Sequence, residues 1–195
     1  RDAFRTGTSI NDLAPPRLGM ATGNNDVYLR LWHEVNISKV GFGFKGRDEA
    51  VKSGKKWFPY NKGGDYRRWF GNCEYVVNWE NDGELLQTTK HPSGTRIWAH
   101  NFNLDYIFKP GITWTATSSS YFAVRETEEG FLFDVKGSSC FPVSGYKNLV
   151  LGFLCSSATQ HFMKILNPTI EFQPGNIASL VLPEEKLEPY RSDIE

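Results

Sequence analysis

The residues best suited to chemistry lie in one run, residues 55–70, which reads KKWFPYNKGGDYRRWF. Five lysines and arginines are interleaved here with six aromatic side chains and two adjacent glycines. Lysine and arginine bind phosphate, arginine can donate two hydrogen bonds to a guanine edge, and aromatic rings stack on bases or wedge between them. Gly63 and Gly64 would let backbone amides approach a phosphate ahead of a short helix. The run therefore predicts a nucleic-acid contact, and the alternative is a solvated basic face over an aromatic core.

Two polar segments elsewhere in the chain could also contact DNA. The first is the loop at residues 21–26, and its candidates are Thr22, Asn24, Asn25 and Asp26. Hydroxyl, amide and carboxylate groups can hydrogen-bond base edges, although the same residue types favour turns and helix caps. The second follows a predicted strand, where the hydroxyls of Ser118 and Ser119 could donate to phosphate or simply belong to a loop.

The chain carries none of the common catalytic or metal-binding motifs. Residues 41–46 match the G-x-G-x-x-G pattern of dinucleotide sites, but no helical periodicity follows them, so we interpret these glycines as strand and turn. The four histidines and three cysteines have neither metal-site nor disulfide-framework spacing. Asn167 and Pro168 lack the second proline and the aromatic residue of the motif with which amino-methyltransferases hold a flipped base. The sequence therefore predicts no catalytic residue and no metal site.

The net charge of zero conceals an asymmetry along the chain. Residues 39–70 carry nine basic and three acidic side chains, a balance of +6, whereas residues 71–195 carry nine basic and fifteen acidic side chains, a balance of −6. Neutrality thus excludes a uniformly basic protein but allows a local DNA-binding surface. No apolar run approaches the ~20 residues that a membrane-spanning helix needs, and no apolar signal follows the charged N-terminus. We expect a cytoplasmic protein of a bacterium or archaeon with no membrane partner.

Hydrophobic periodicity and turn residues predict a mixed α+β fold. Strands are expected at residues 40–44, 73–79, 112–117, 121–124 and 131–135, the last three forming a β-meander with a turn at residues 128–130. Helices are expected at residues 146–166 and 176–182, and one or two helical turns at residues 65–70 and 81–88. This predicts a largely antiparallel, twisted sheet with a long C-terminal helix and short helices.

Several stretches resemble the target-recognition region of large adenine-specific DNA methyltransferases, with the nearest similarity to those of BREX phage-defence systems. They are residues 19–26 (GMATGNND), 56–64 (KWFPYNKGG), 74–83 (EYVVNWENDG) and 111–114 (GITW). Residues 149–183 are similar to the end of recognition domains in type I specificity subunits, and single-chain restriction–modification enzymes are related. The resemblance covers nearly the whole chain, which implies one target-recognition domain, residues 1–195, cut from a longer methyltransferase.

The resemblance also implies a division of labour within the parent enzyme. A separate Rossmann-like domain would hold S-adenosylmethionine and receive the flipped adenine, while this domain grips and reads the duplex. The fragment itself would bind no cofactor and transfer no methyl group. Its partners would be double-stranded DNA, the catalytic domain of the same parent chain and other defence-system subunits. Because such domains diverge where they meet bases, the matched residues are expected to position the duplex or to build the fold.

Fifteen residues are predicted to contact DNA: Thr22, Asn24, Asn25, Asp26, Lys55, Lys56, Tyr60, Asn61, Lys62, Gly63, Gly64, Arg67, Arg68, Ser118 and Ser119. The five lysines and arginines of this set would hold phosphates, and its asparagines with a nearby arginine would approach base edges. Five phosphate contacts predict a slope of about −4.5 for log affinity against log salt. The alternatives are a protein-interaction module, which would dock another defence-system subunit or a DNA-mimic inhibitor, and a carbohydrate-binding module.

Overall fold

A computed structural model describes residues 6–100, 102–187 and 189 of the chain. The strands in chain order are β1 Thr8–Ser9, β2 Pro16–Arg17, β3 Leu29–Leu31, β4 Trp57–Asn61, β5 Tyr75–Asn78, β6 Gly111–Trp114, β7 Val124–Thr127, β8 Leu132–Phe133, β9 Ser139–Cys140 and β10 Val181–Leu182. The α-helices are α1 Ile10–Leu13, α2 Asn25–Tyr28, α3 Arg47–Lys52, α4 Glu80–Thr88, α5 Lys147–Cys155, α6 Ser157–Leu166, α7 Pro174–Ala178 and α8 Glu184–Leu187. The predicted α+β class is confirmed.

One four-stranded sheet has the order β3-β5-β4-β8, with antiparallel pairs except for the parallel β4–β8 pair. Its buried aromatic core includes Phe58, Trp79 and Phe108. The strand predicted at residues 73–79 is confirmed as β5. The strand predicted at residues 40–44 is wrong, because only one isolated bridge forms there and the backbone turns left-handed at a glycine with φ +68°.

The other four-stranded sheet has the antiparallel order β2-β9-β6-β7, and helices α5 and α6 contribute to its apolar core. The neighbouring pair β6–β7 confirms the pairing expected for the first half of the meander, but the strand predicted at residues 121–124 is misplaced, since β7 begins only at Val124. The third strand, β8, leaves this sheet and pairs with β4 in the other one, so the meander is wrong in its last strand. The chain turns away at Gly130, whose φ of +94° and close approach to the backbone of Gly43 suit glycine.

The long C-terminal helix predicted at residues 146–166 is two helices, α5 and α6, bent by 67°. Ser156 takes an extended conformation between them and its hydroxyl accepts a hydrogen bond from the Thr159 amide at 3.3 Å, which caps α6. The apolar spacing continues across the break, so periodicity alone could not locate it. Within the described ranges, no single helix is long and apolar enough to cross a bilayer; the bent pair meets that requirement only when taken together.

The helix predicted at residues 176–182 is shorter and begins earlier, at Pro174–Ala178. The side chain of Asn176 accepts a hydrogen bond from the Gln173 amide at 2.8 Å, so this asparagine supports the first turn from within it rather than from the cap position. The last part of the predicted helix is strand β10, which pairs antiparallel with β1. The helical segment predicted at residues 81–88 is confirmed only in its second part, because Asn81, Asp82 and Gly83 at the start of α4 have left-handed φ values of +51°, +60° and +73°.

Candidate nucleic-acid interface

Residues 64–72 form an irregular segment, called here the aromatic loop, on the edge of the antiparallel sheet. The helical turn predicted at residues 65–70 is wrong. Gly64, Trp69, Gly71 and Asn72 all have positive φ values, which a right-handed helix excludes. Two backbone hydrogen bonds fix the loop to β7: the Trp69 amide donates to the Val124 carbonyl at 3.0 Å, and the Glu126 amide donates to the Trp69 carbonyl at 2.8 Å. The glycine pair therefore precedes no helix N-terminus.

The aromatic loop exposes its cations and rings together, since residues 64–70 are all exposed. Trp69 is 53% exposed and Phe70 66%. The Arg68 guanidinium lies 5.7 Å from the centre of the Tyr66 ring, within the range of a cation–π contact. These side chains have the composition of a surface that binds phosphates and stacks on bases.

A cleft of about 360 Å³ lies beside the aromatic loop. Tyr121, which is 58% exposed, links the two, because its ring lies 6.5 Å from that of Tyr66 and also lines the cleft. Lys164 of α6 places its ammonium 5.8 Å from the Tyr121 ring. Ser118 and Ser119, predicted from the sequence, line the same cleft. The fold thus brings the two predicted segments into one surface, called here the loop-and-cleft surface.

A buried arginine lies directly under the aromatic loop. Arg125 of β7 is 1% exposed and forms a parallel bridge with Trp69. Its Nε is fully buried and finds no hydrogen-bond partner among the described residues. Burial lowers the pKa of Arg125. The nearby Cys73 and Glu74 oppose that shift, and the positive charge of Arg67 adds to it. Arg67 and Arg125 therefore repel each other across the base of the loop.

The aromatic and amide side chains of the matched motif point inward. Tyr60 is 0% exposed, and its hydroxyl lies 3.0 Å from both the Asp134 carboxylate and the Met20 carbonyl oxygen. Burial and the neighbouring carboxylate raise the pKa of Tyr60 well above 10, which keeps the hydroxyl protonated as a donor. Asn61 is 4% exposed and donates to the Thr127 hydroxyl at 3.1 Å. In this structure both side chains build the core and have no surface with which to contact DNA.

The two glycines of the motif allow a close backbone crossing. Gly63 has φ +84°, and a Cβ there would lie 2.5 Å from the Lys136 carbonyl oxygen. Gly64 has φ +130°, and a Cβ there would meet the Asn72 side chain at 3.1 Å. The positive φ and the close contact with Lys136 both require glycine at position 63. Its observed role is to let the backbone pass close to residues 136–137.

The three lysines of the run are half-buried and engaged within the fold. Lys62 Nζ lies 2.7 Å from the buried Asp134 carboxylate. Lys55 Nζ donates to the Ser38 carbonyl at 2.6 Å. Lys56 lies 3.5 Å from the Glu80 carboxylate, and its ammonium lies 5.8 Å from the Trp57 ring. The exposed cations of the run are therefore Arg67 and Arg68.

The polar loop at residues 21–26 leads into helix α2, whose first two residues are Asn25 and Asp26. Thr22 is 2% exposed and its hydroxyl donates to the Asn25 side-chain oxygen at 2.6 Å. The Asn24 side chain accepts from the Val27 amide at 3.3 Å and caps the helix. Asn25 and Asp26 are exposed and line a second, shallow cleft. Lys62, Arg30 and Tyr75 line the same cleft, which makes it a separate polar surface.

Sequence reasoning missed five residues of the loop-and-cleft surface: Tyr66, Trp69, Phe70, Tyr121 and Lys164. The first three stand in the aromatic run and could have been found by treating its second half as exposed. Tyr121 and Lys164 carry no such signal, because α6 packs on the segment just before β7, where Gln160 donates to the Phe122 carbonyl and Lys164 comes to lie near the Tyr121 ring. No group of three or more histidine, cysteine or acidic side chains that could hold a metal occurs in the part of the chain that the structure describes.

No protein-family model matches this chain. It is 40% identical over 178 residues to the adenine-specific methyltransferase PglX of Lacticaseibacillus casei (strain Zhang), an alignment that covers 90% of this chain and 15% of that protein. It is 37% identical over 160 residues to the adenine-specific methyltransferase BrxX of Escherichia coli O9:H4 (strain HS), covering 80% of this chain and 12% of that protein. The resemblance to BREX adenine-specific methyltransferases is confirmed, for a segment that spans less than one sixth of either relative.

Proposed function

We propose that this chain is the target-recognition domain of an adenine-specific DNA methyltransferase of a phage-defence system, and that it binds double-stranded DNA. The observation that carries the proposal is the loop-and-cleft surface. Seven consecutive exposed residues, 64–70, include two arginines and three aromatic rings, and they adjoin a cleft with a lysine and serine hydroxyls. Such a combination suits the phosphates and bases of nucleic acid.

The similarity to a small part of two methyltransferases supports a division between reading and chemistry. Both relatives are named adenine-specific methyltransferases, and this chain spans 12–15% of their length. S-adenosylmethionine and the methyl-transfer residues would belong to another part of the parent chain, which would be the partner of this domain. Because DNA is the substrate, the parent enzyme would work in the cytoplasm.

The structure suggests which residues would meet which part of the duplex. Arg67, Arg68 and Lys164 would hold phosphates, since all three are exposed and the last two lie against the Tyr66 and Tyr121 rings. Ser118 and Ser119 would add hydroxyl donors from the cleft wall. The second polar surface, with the exposed residues 25–26, would offer amide and carboxylate groups to base edges. Tyr60, Asn61 and Gly63 would support this arrangement from the core rather than touch DNA.

Fluorescence anisotropy with a labelled 30-bp duplex tests the proposal. The double variant R67A/R68A is expected to weaken binding strongly and to reduce the salt slope by about 2, because each lost phosphate contact removes about one unit. The matched control is K52A/K90A, which removes two exposed lysines outside the loop-and-cleft surface and is expected to leave the affinity within two-fold. Equal weakening by both variants would contradict the assignment of the surface.

A protein-interaction module is the second candidate, because exposed tryptophan, tyrosine and arginine also anchor protein interfaces. The aromatic loop, with Trp69 at 53% and Phe70 at 66% exposure, fits that use as well. An acidic DNA-mimic protein would bind the same cations that hold phosphates. Competition separates the two candidates: a duplex that binds wild type and is displaced by an acidic protein supports DNA recognition. Capture of a defence-system subunit with no measurable duplex binding supports the interaction module.

A further inference from the structure

The backbone of Trp69 has a conformation that its own side chain disfavours. Its φ is +72°, in the left-handed region that glycine and asparagine adopt readily and a bulky residue rarely does. The next two residues include Gly71 with φ +122°, so the strained position lies within a tight turn. A glycine at position 69 would fit this turn better, yet the chain has a tryptophan there. Backbone strain of this kind concentrates at functional sites, where the fold holds a side chain in a required place.

The fold holds Trp69 from both sides and leaves its ring partly free. The amide and the carbonyl of the residue both bond to β7, through Val124 and Glu126. The Phe70 amide donates to the Arg68 carbonyl at 2.8 Å and tightens the turn. The two rings are 53% and 66% exposed, so much of their surface remains available to a ligand. The result is a pair of neighbouring rings on a backbone that is fixed before anything binds.

The electrostatics around these rings favour an anionic occupant. Arg67 and Arg68 directly precede Trp69 in sequence, and Arg125 lies beneath it with a buried Nε that has no hydrogen-bond partner among the described residues. Burial lowers the pKa of Arg125, and the like charge of Arg67 lowers it further. Phosphates placed on either side of the rings would relieve the repulsion, whereas an uncharged apolar partner would not.

We infer that Trp69, assisted by Phe70, is a wedge that inserts between neighbouring base pairs of the bound duplex. Arg67 and Arg68 hold the phosphates that flank the opened step. This inference rests on the proposed function and adds a mode of binding: the domain unstacks one step and kinks the duplex, as apolar wedges do in other DNA-binding proteins. The strained, pinned backbone fixes the ring in advance, so the protein loses less conformational freedom on binding.

The experiment uses this chain and a 30-bp duplex whose central segment has been enriched by the chain from a randomised pool. 2-Aminopurine replaces adenine at each adenine position in turn, because its fluorescence rises when a base is unstacked. Wild type is expected to raise the fluorescence at one step by several-fold. The variants W69A and W69G are expected to abolish that rise and to weaken binding about ten-fold. The control W32A removes a tryptophan that is 48% exposed outside the loop, and it is expected to behave as wild type.

A comparison of the two substitutions tests the role of the strain. Glycine adopts the left-handed conformation without strain and alanine does not. The equilibrium constant for folding, measured by urea unfolding, is therefore expected to be about five-fold larger for W69G than for W69A. A ring that served the fold alone would change stability in both variants and leave the 2-aminopurine signal unchanged. Unchanged fluorescence and affinity in W69A, beside weakened binding in R67A/R68A, would overturn the wedge and leave DNA recognition standing. Failure of wild type to bind or enrich any duplex would overturn the proposed function itself.

Discussion

Replacement of Lys62 by methionine separates a structural role of this lysine from a phosphate contact. The sequence predicts a phosphate contact, because Lys62 stands in the basic aromatic run. The structure instead places its ammonium 2.7 Å from Asp134, whose side chain is 1% exposed. That carboxylate also accepts from the Lys136 amide at 2.7 Å and lies beside the Tyr60 hydroxyl. K62M keeps the apolar stem of the side chain and removes only its charge.

The expected cost follows from the burial of the pair. Removal of one partner from a buried ion pair typically costs 3–5 kcal/mol, because the other charge stays buried without compensation. The Lys62 side chain is 22% exposed, so some water reaches the pair and the lower end applies, about 3 kcal/mol. At a typical urea dependence this lowers the unfolding midpoint by about 1–2 M. The double variant K62M/D134N removes the stranded charge and is expected to recover about 2 kcal/mol of that loss.

Urea unfolding followed by circular dichroism measures these free energies, and duplex anisotropy measures binding by the same samples. K52M is the matched control, since Lys52 is exposed at the end of α3 and its loss is expected to cost less than about 0.5 kcal/mol. K62M is expected to lose stability but to keep its salt slope. The reasoning is refuted if K62M unfolds like wild type while its duplex affinity falls and its slope decreases by about 1.

Three further predictions concern residues buried in the fold. G63A is expected to lower the free energy of unfolding in urea by about 3 kcal/mol, because its Cβ would meet the Lys136 carbonyl at 2.5 Å. The control G43A, with φ +68° and open space around it, should cost about 1 kcal/mol. Equal losses in the two variants would contradict the packing argument. Tyr60 has a raised pKa, so the folded state keeps a proton that the unfolded chain releases above pH 10; stability is expected to fall there, and Y60F should flatten that fall in a series of unfolding curves. Burial raises the pKa of Cys140 to about 12, so a thiol reagent at pH 8 should label it only after global unfolding; labelling as fast as that of the half-buried Cys73 would contradict its burial.

The sequence indicated the fold class and several elements because their apolar patterns are local. Strand β5 and the second part of helix α4 were expected close to where they lie. The pairing of β8 with β4 could not be predicted, since it depends on contacts between residues 60–61 and residues 132–133. The break between α5 and α6 was equally hidden, because Ser156 interrupts the backbone without interrupting the apolar spacing.

The division of the aromatic run into a buried and an exposed half explains what the sequence could not supply about the site. Strand Trp57–Asn61 lies between two other strands, and four of its five residues are buried, so it shows no alternation of polar and apolar positions. Residues 64–70 have much the same composition but lie on the sheet edge and are exposed. Composition alone cannot separate these halves, because burial is decided by the strands that pack on either side.

The salt dependence of duplex affinity tests the central claim most directly. The structure assigns three exposed cations to the loop-and-cleft surface, Arg67, Arg68 and Lys164, which predicts a slope of about −2.7 for log affinity against log salt. The triple variant R67A/R68A/K164A should lower that slope nearly to zero. A slope of about −5.4 would show that the three half-buried lysines also leave their partners to hold phosphates, which makes six contacts in all. A flat dependence, or a slope that the triple variant leaves unchanged, would contradict DNA recognition by this surface.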